Sequence, residues 1–432
     1  MEIGNFHVYL MKNIVVLLLL SLLFVGCATV SRNLVKKIDS QIKSDQYDNQ
    51  FTGLLVIDPE SKDTIYNINS SKYFTPASNT KIFTLFASLN LLPDSIPTLK
   101  YVIENDTLYV QGTGDPSVLH PYFNDSTALH FMDKYENIAL YPNNFEDEKF
   151  GPGWAWDDYH WYYSPERSGF PLYGNILTIN NADSLVVQPN YFKDSIVFIE
   201  YPVNRELQKN LFYFNPSKKD TVEIPFKVDC ALTKILLETS LKKKIHITHK
   251  IPDREQQILY GMPSDSVYKR MMELSDNFLA EQLLILGSST LSDTLNSEKA
   301  REYVLNNYLS DLRQPPRWVD GSGLSRYNLF TPESMVYVLH RMYNEIPRER
   351  LFLFFPTGGI SGTIEDCYPG SPDPYIYAKT GSLDNNHNLS GYLLTKSGKT
   401  LIFSFMNNHF MESSSEIKKR MQSIFENIRD NY

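Results

Sequence analysis

The C-terminal third of the chain contains the pattern that most constrains the fold. Segments 375–382, 389–395 and 400–407 are rich in apolar and aromatic residues, and a turn at 397–399 separates the last two. Such segments, bounded by turn residues, predict an antiparallel meander of β-strands. A helix follows, with a predicted capping box at Ser413 and Glu416. Its apolar residues share one face, which suits packing on a sheet: Ile417, Met421, Ile424, Phe425 and Ile428.

The 432 residues exceed what one compact core usually holds, which predicts a large domain with an insertion. A strand–turn–strand unit is predicted at 53–67 and a buried helix at 78–91. Short strands and aromatic clusters dominate 98–250, whereas helical patterns return at 265–286. We therefore expect an α+β protein, with residues 31–97 and 251–432 in one domain and residues 98–250 in an inserted, mainly β domain.

The N-terminus has the pattern of an export signal. An apolar run over 14–25 follows Lys12, and it is too short to span a bilayer comfortably. The segment Phe24-Val25-Gly26-Cys27 is similar to a bacterial lipoprotein cleavage box. We therefore predict a signal peptide over 1–27, with a mature start and a lipid anchor at Cys27. An ordinary cleaved signal with a coincidental cysteine is the alternative. Both interpretations predict a periplasmic or cell-envelope protein.

Charge and cysteine content exclude other classes. The net charge of −9 gives no basic surplus for binding nucleic acid. No CxxC or Cys/His ligand set occurs, and His246 and His249 fall on opposite faces of a predicted strand, so we expect no metal and no cofactor. The sequence leaves open whether Cys230 and Cys367 form a disulfide.

Serine and lysine three residues apart can form a nucleophile and its base. This spacing occurs five times, but only Lys81, paired with Ser78, is followed at once by a dense apolar run. A lysine among apolar groups loses hydration of its charged form, so its pKa falls and neutral amine becomes available to take a proton. Helical spacing places that amine beside the Ser78 hydroxyl. The alternative is that Ser78 only caps the helix.

Two further short motifs follow in order along the chain. Ser275 and Asn277 lie between two helical runs, where a loop can present both side chains to a cleft. Lys379, Thr380 and Gly381 occur at the end of a predicted strand, followed by Ser382. A glycine at a strand edge lets a substrate backbone approach, and the lysine adds a cation that can hold a carboxylate.

These three motifs, in this order, resemble those of the penicillin-binding protein and serine β-lactamase superfamily. The 197 positions between Ser78 and Ser275 resemble the D-alanyl-D-alanine carboxypeptidase/endopeptidase family (peptidase S13), whose members have extra domains between these motifs. Four other stretches fit the same family: "GTGDPSVL" at 112–119, "GPGWAWDD" at 151–158, "DGSGLSR" at 320–326 and "FPTGGISGTI" at 355–364. The resemblance implies a β-lactamase/transpeptidase-like domain, with a five-stranded antiparallel sheet flanked by helices.

The resemblance also implies residue roles. Ser78 would be the acylated nucleophile and Lys81 its base. Ser275 would pass a proton to the leaving amine, while Asn277 binds the substrate backbone. The remaining implied roles are cleft electrostatics for Lys379, carboxylate binding for Thr380, substrate approach at Gly381, and an oxyanion hole from the backbone N–H groups of Ser78 and Ser382. Asp320 and Arg326 are weaker candidates for substrate contact, because an aspartate in a glycine-rich loop more often organises the turn.

The implied activity is hydrolysis of peptidoglycan stem peptides ending in D-Ala-D-Ala, by a carboxypeptidase or an endopeptidase that β-lactams inhibit covalently. A β-lactamase-like hydrolase is one alternative, although the large insertion argues against a compact lactamase and the segment around Glu166 does not supply the Glu-x-x-Leu-Asn pattern of class A enzymes. A non-catalytic peptidoglycan-binding lipoprotein is the other. The implied partners are these peptides and β-lactam antibiotics, with a membrane contacted only through the lipid on Cys27.

Overall fold

The central sheet of the protein combines strands from the two ends of the chain. The computed structural model describes residues 32–432, so the predicted signal peptide and Cys27 lie outside the described residues. The strands of this sheet are β1 (Phe51–Ile57), β2 (Thr64–Ile68), β13 (Ile376–Leu383), β14 (Asn386–Leu394) and β15 (Thr400–Asn408). They run antiparallel in the order β13–β14–β15–β1–β2. The predicted α+β fold with a five-stranded antiparallel sheet is confirmed.

The sheet is buried on both faces because its strands present apolar side chains alternately to each side. In β15, Leu401, Phe403 and Phe405 belong to one core, whereas Ile402 and Met406 belong to the other. All five side chains are fully buried. Such two-sided burial requires helices on both faces.

Helices cover the two faces unequally. One face packs against α1 (residues 32–42) and α10 (Ser414–Asn431). The other packs against the remaining helices of this domain, which are α2 (Lys81–Leu91), α5 (Ser264–Glu273), α6 (Asn277–Ser289), α7 (Ser297–Asn307), α8 (Pro332–Glu345) and α9 (Arg348–Phe354). The predicted capping box of α10 forms only in part. The Ser413 side chain accepts from the Glu416 N–H, but the Glu416 carboxylate binds Lys419 instead.

The insertion builds its own core from three small sheets and two helices. Its strands are β3 (Ser95–Glu104), β4 (Thr107–Gly112), β5 (Asn137–Leu140), β6 (Ile176–Asn180), β7 (Val186–Gln188), β8 (Ile196–Val197), β9 (Phe212–Tyr213), β10 (Val222–Pro225), β11 (Ile245–Ile247) and β12 (Gln257–Pro263). They form sheets ordered β11–β5–β4–β3–β12, β10–β6–β7 and β8–β9. The helices are α3 (Thr127–Met132) and α4 (Cys230–Leu241).

The end of the inserted sheet does not coincide with the change in sequence character at residue 250. Strand β12 lies beyond that position, yet it pairs with β3 from the start of the insertion. α5 begins directly after β12, so the chain returns to the main domain at Ser264. Within residues 32–432, no helix combines the length and the apolar character needed to cross a membrane.

Candidate active site

Ser78 lies in a tight 3-10 turn, Ala77–Thr80, which continues directly into α2. Ala77, immediately before it, is buried and has a positive φ of 48°. A non-glycine residue in this region is strained, and such strain persists where surrounding contacts hold it. Asn79 supplies two of these contacts, because its Nδ2 donates to the Lys379 carbonyl at 2.8 Å and its Oδ1 accepts from Ser390 at 2.6 Å. The turn with Ser78 is thereby fixed to strands β13 and β14.

Lys81 is fully buried one helical turn after Ser78. Its Nζ lies 3.0 Å from Ser78 Oγ, 2.7 Å from Asn277 Oδ1 and 2.7 Å from the Ser322 carbonyl oxygen. Burial lowers the pKa of Lys81 to about 8, although the negative charges of Asp320, Glu281 and Asp276 oppose the shift. A lysine with this pKa has roughly a tenth of its population neutral at pH 7. The amine is therefore able to accept the Ser78 proton.

The loop between α5 and α6 presents Ser275 and Asn277. Ser275 has a positive φ of 59°, which turns the chain sharply before the next helix. Asp276 caps α6 by accepting the Leu279 N–H at 3.0 Å. Asn277 then begins α6, where its Oδ1 accepts from Lys81 and its Nδ2 donates to the Tyr163 carbonyl at 3.0 Å. The insertion thus helps to hold the asparagine amide.

Strand β13 supplies the second cation of the site. Lys379 is fully buried, and its Nζ donates to Ser275 Oγ at 2.9 Å and to the Thr380 carbonyl at 2.9 Å. Burial, with a smaller contribution from the positive charge of Lys81, lowers the pKa of Lys379 well below its usual range. The Thr380 hydroxyl lies 2.7 Å from that of Thr363. Ser382, the next residue on the same face, lines the cleft.

Gly381 is required by the close approach of β13 to the turn that contains Ser78. A Cβ at this position would lie 2.2 Å from the Pro76 carbonyl oxygen and 2.8 Å from the Asn79 nitrogen. The sequence interpretation assigned the glycine to substrate approach. The structure gives a different physical reason, because the space beside Gly381 is filled by the protein's own backbone.

The loop between α7 and α8 packs behind the site and holds its residues in place. Asp320 is fully buried and accepts hydrogen bonds from the N–H groups of Gly323 and Ser325, at 2.8 and 2.7 Å. It also accepts from Asn328 Nδ2 and Trp154 Nε1, at 2.7 and 2.9 Å. Asp320 therefore organises the turn, and the alternative of a direct substrate contact is wrong for a carboxylate buried in this way. Arg326 does line the cleft.

The predicted site residues surround one cleft of about 990 Å³. Ser78, Ser275, Asn277 and Ser382 line it directly. The insertion closes one side with residues that include His120, Asp157, Tyr162 and Glu223. In the part of the chain that the structure describes, no three His, Cys, Asp or Glu side chains are grouped as a metal site would require, and Cys230 and Cys367 are free thiols.

Sequence reasoning missed several supporting residues. Glu281 accepts the Ser322 N–H at 2.7 Å, which fixes the loop whose carbonyl binds Lys81. Its position one helical turn after Asn277 was the available signal. Asn79 and Thr363 had no comparable signal, because their partners are distant in the chain.

This fold, with a serine hydroxyl beside a buried lysine, is typical of a class of proteins, the serine hydrolases. Residues 34–188 and 232–428 match the D-Ala-D-Ala carboxypeptidase 3 (S13) family, so the chain belongs to this family of serine peptidases.

Relatives span most of the chain. D-alanyl-D-alanine carboxypeptidase DacB of Haemophilus influenzae is 23% identical over 429 residues, which cover 85% of this chain and 87% of the relative. Penicillin-sensitive carboxypeptidase A of Dictyostelium discoideum is 24% identical over 399 residues, 76% of each chain. The crystal structure of penicillin binding protein 4 from Haemophilus influenzae superposes with a TM-score of 0.68 at 20% identity, covering 91% of this chain and 98% of that one. This likeness confirms the expected fold.

Proposed function

We propose that the protein hydrolyses peptidoglycan stem peptides ending in D-Ala-D-Ala through an acyl-enzyme on Ser78. The observation that carries this proposal is the fully buried Lys81, whose Nζ lies 3.0 Å from Ser78 Oγ and whose pKa is lowered to about 8. A serine in the turn that leads into a helix, beside a neutral amine, has both a base and a favourable dipole for attack on a carbonyl. Family membership and the named carboxypeptidase relatives support the same substrate class.

In the acylation step, Ser78 Oγ attacks the carbonyl carbon of the penultimate D-Ala while Lys81 Nζ takes the Ser78 proton. The backbone N–H groups of Ser78 and Ser382 stabilise the resulting oxyanion, and each such donor typically contributes about 3 kcal/mol. The C–N bond then breaks as the proton that Lys81 took from Ser78 passes to the leaving amine through Ser275, whose Oγ is bonded to Lys379, so that Lys81 is neutral again. Free D-alanine leaves, and the ester to Ser78 remains.

In the second step, water replaces the amine. Lys81 accepts a proton from this water, which attacks the ester carbonyl, and the proton returns to Ser78 Oγ as the C–O bond breaks. Asn277 holds Lys81 through the 2.7 Å contact of its Oδ1 and orients the substrate backbone. Thr380, with its hydroxyl at the 2.7 Å contact to Thr363, binds the terminal carboxylate.

The size of the cleft favours an endopeptidase activity beside the carboxypeptidase activity. A volume of about 990 Å³, walled on one side by the insertion, exceeds what a D-Ala-D-Ala terminus fills. Measuring D-alanine release and cleavage of purified cross-linked muropeptides, with the same enzyme preparation, tests both activities. Release of D-alanine alone would contradict the endopeptidase proposal.

Covalent labelling tests the nucleophile. Penicillin has an amide carbonyl and a carboxylate placed like those of the substrate, so a fluorescent penicillin is expected to add one label to Ser78. The adduct is mapped by peptide mass, and Ser78→Ala is expected to abolish it without changing the thermal unfolding midpoint. A label that persists in Ser78→Ala contradicts the mechanism, while rapid turnover of nitrocefin would favour the β-lactamase alternative.

The location of the protein is a further proposal. We infer from the sequence of residues 1–27 that the chain is exported and lipid-anchored at Cys27, in the periplasm or cell envelope. Metabolic labelling with a radioactive fatty acid, comparing the natural chain with Cys27→Ala, tests the anchor. Incorporation that is equal in both would contradict it.

A further inference from the structure

Ser382 has a buried histidine as its direct neighbour across the sheet. Ser382 on β13 and His387 on β14 are paired positions, and Ser382 Oγ lies 2.8 Å from His387 Nδ1. The serine lines the cleft, whereas the imidazole is fully buried behind it. A polar ring with no access to solvent is therefore joined to the cleft through a single hydroxyl.

The histidine has no other polar contact that explains its presence. Its Nε2 has no hydrogen-bond partner among the described residues. Leaving a buried nitrogen unpaired costs free energy, so an apolar ring of similar size would fill this space more favourably. The bond to Ser382 is the contact that distinguishes histidine from an apolar residue here.

The direction of this hydrogen bond determines whether the Ser382 hydroxyl can donate a hydrogen bond to a ligand in the cleft. Burial, with a smaller contribution from the positive charge of Lys418, lowers the pKa of His387 to about 3, so the ring is neutral at ordinary pH. A neutral imidazole has one N–H, on either nitrogen. If Ser382 donates to Nδ1, its only proton is used. If Nδ1–H donates to Ser382 Oγ, the hydroxyl proton is free for the cleft.

A carboxylate in the cleft selects the second arrangement, because an ionised carboxylate only accepts hydrogen bonds. We propose that His387 is a positioning residue, whose Nδ1–H donates to Ser382 Oγ so that the Ser382 hydroxyl donates to the terminal carboxylate of the substrate. This inference rests on the proposed function, since it needs a ligand with a carboxylate at this end of the cleft. A hydrogen bond to a charged group is strong, and its loss reduces binding or reaction about ten- to a hundredfold.

Two probes separate this role from simple packing. Benzylpenicillin has the carboxylate, and its methyl ester does not, while both have the same reactive amide. The second-order rate constant for acylation of Ser78 is measured by intact mass for each probe with the full chain. In the natural protein we expect the acid to react faster than the ester. His387→Phe, which keeps an aromatic ring without the donor, is expected to reduce this preference about tenfold.

Three further variants complete the design. Ser382→Ala is expected to reduce the preference as His387→Phe does, and the double variant is expected to be no worse than Ser382→Ala, because both changes remove the same contact. His387→Asn keeps a donor near the Nδ1 position, so we expect a preference within threefold of the natural protein. His160→Phe is the matched control, because His160 is also buried with its Nδ1 bonded, to the Asn204 N–H at 3.2 Å, but lies outside the cleft lining.

The outcomes are distinct. Equal losses with acid and ester in His387→Phe, or additive losses in the double variant, would assign His387 a packing role and overturn the inference. If His387→Phe does not fold, an unchanged preference in Ser382→Ala overturns it equally. A natural protein that neither probe acylates would instead refute the proposed function on which the inference depends.

Discussion

Replacing Gly381 by alanine tests how closely β13 and the turn that contains Ser78 must approach each other. The added Cβ would lie 2.2 Å from the Pro76 carbonyl oxygen, roughly 1 Å short of ordinary van der Waals contact. Gly381 does not have a positive φ, so the effect is steric. The strand must move by about this distance relative to the turn with Ser78. A misplacement of 1 Å between reacting groups can reduce a rate about 100-fold.

The assay is the rate of Ser78 acylation by a fluorescent penicillin, with urea unfolding on the same samples. Gly381→Ala is expected to lower the acylation rate constant about 100-fold. The loss in free energy of unfolding is expected to be comparatively small, because the shift disturbs only the contact between β13 and the turn with Ser78 while the rest of the large sheet is unchanged. Gly398→Asn is the control, since Gly398 lies in a distant turn with φ of 88° and nothing within 4 Å of its added Cβ, and asparagine tolerates this conformation. An acylation rate within twofold of the natural protein in Gly381→Ala would refute the reasoning.

Three other predictions follow from the charges and hydrogen bonds of the site. The acylation rate is expected to rise about tenfold per pH unit up to a bend near pH 8, because the proposed base is neutral Lys81 and the pKa of Lys81 is lowered to about 8. A flat stopped-flow profile between pH 6 and 8 would contradict this. Asp320→Ala is expected to lower the free energy of unfolding in urea by roughly 3 kcal/mol, because several buried donors lose their acceptor; a loss below about 1 kcal/mol would be inconsistent with it. His120 and His387 are expected to contribute less stability in acid, because burial lowers the pKa of His120 to about 4 and of His387 to about 3 while the unfolded chain takes up protons near 6.5. The contribution of these two histidines is constant above about pH 6.5 and falls by up to about 1.4 kcal/mol per pH unit for each histidine below that. A change in unfolding free energy between pH 7 and 4.5 that is the same in the natural protein and in His120→Phe would exclude the effect.

The main sheet could be predicted because its strands have a strong local pattern and short connections. The predicted strand at 400–407 corresponds to β15, and the predicted buried helix at 78–91 corresponds to the turn with Ser78 and to α2. In contrast, α4 was missed within the insertion, although Asp229 caps it by accepting the Leu232 N–H and is a recognisable start signal. The strand-like segments around it led to the prediction of a mainly β insertion, in which this helix start was not recognised. Helix α9 was missed because its seven residues show too little periodicity.

The candidate catalytic side chains could be predicted from the sequence because each motif is local. The residues that hold these side chains in place could not be predicted. Ser78 and Lys81 meet through helical spacing alone. The contact of Asn79 with the Lys379 carbonyl joins residues 300 positions apart, and no short pattern encodes it. The same holds for the explanation of Gly381, which depends on the Pro76 carbonyl from the other end of the chain.

The pairing of β1 with β15 has a consequence for the timing of activity. β1 lies near the start of the described chain, and its sheet partners on one side, β15, β14 and β13, are synthesised long after it. Contacts between such distant segments form slowly, after most of the chain has collapsed. Lys379, which holds Ser275, lies on one of these late strands. A nascent chain, or one truncated before β13, therefore contains Ser78 without a complete site, and the site is complete only when β13, β14 and β15 have been synthesised and have docked.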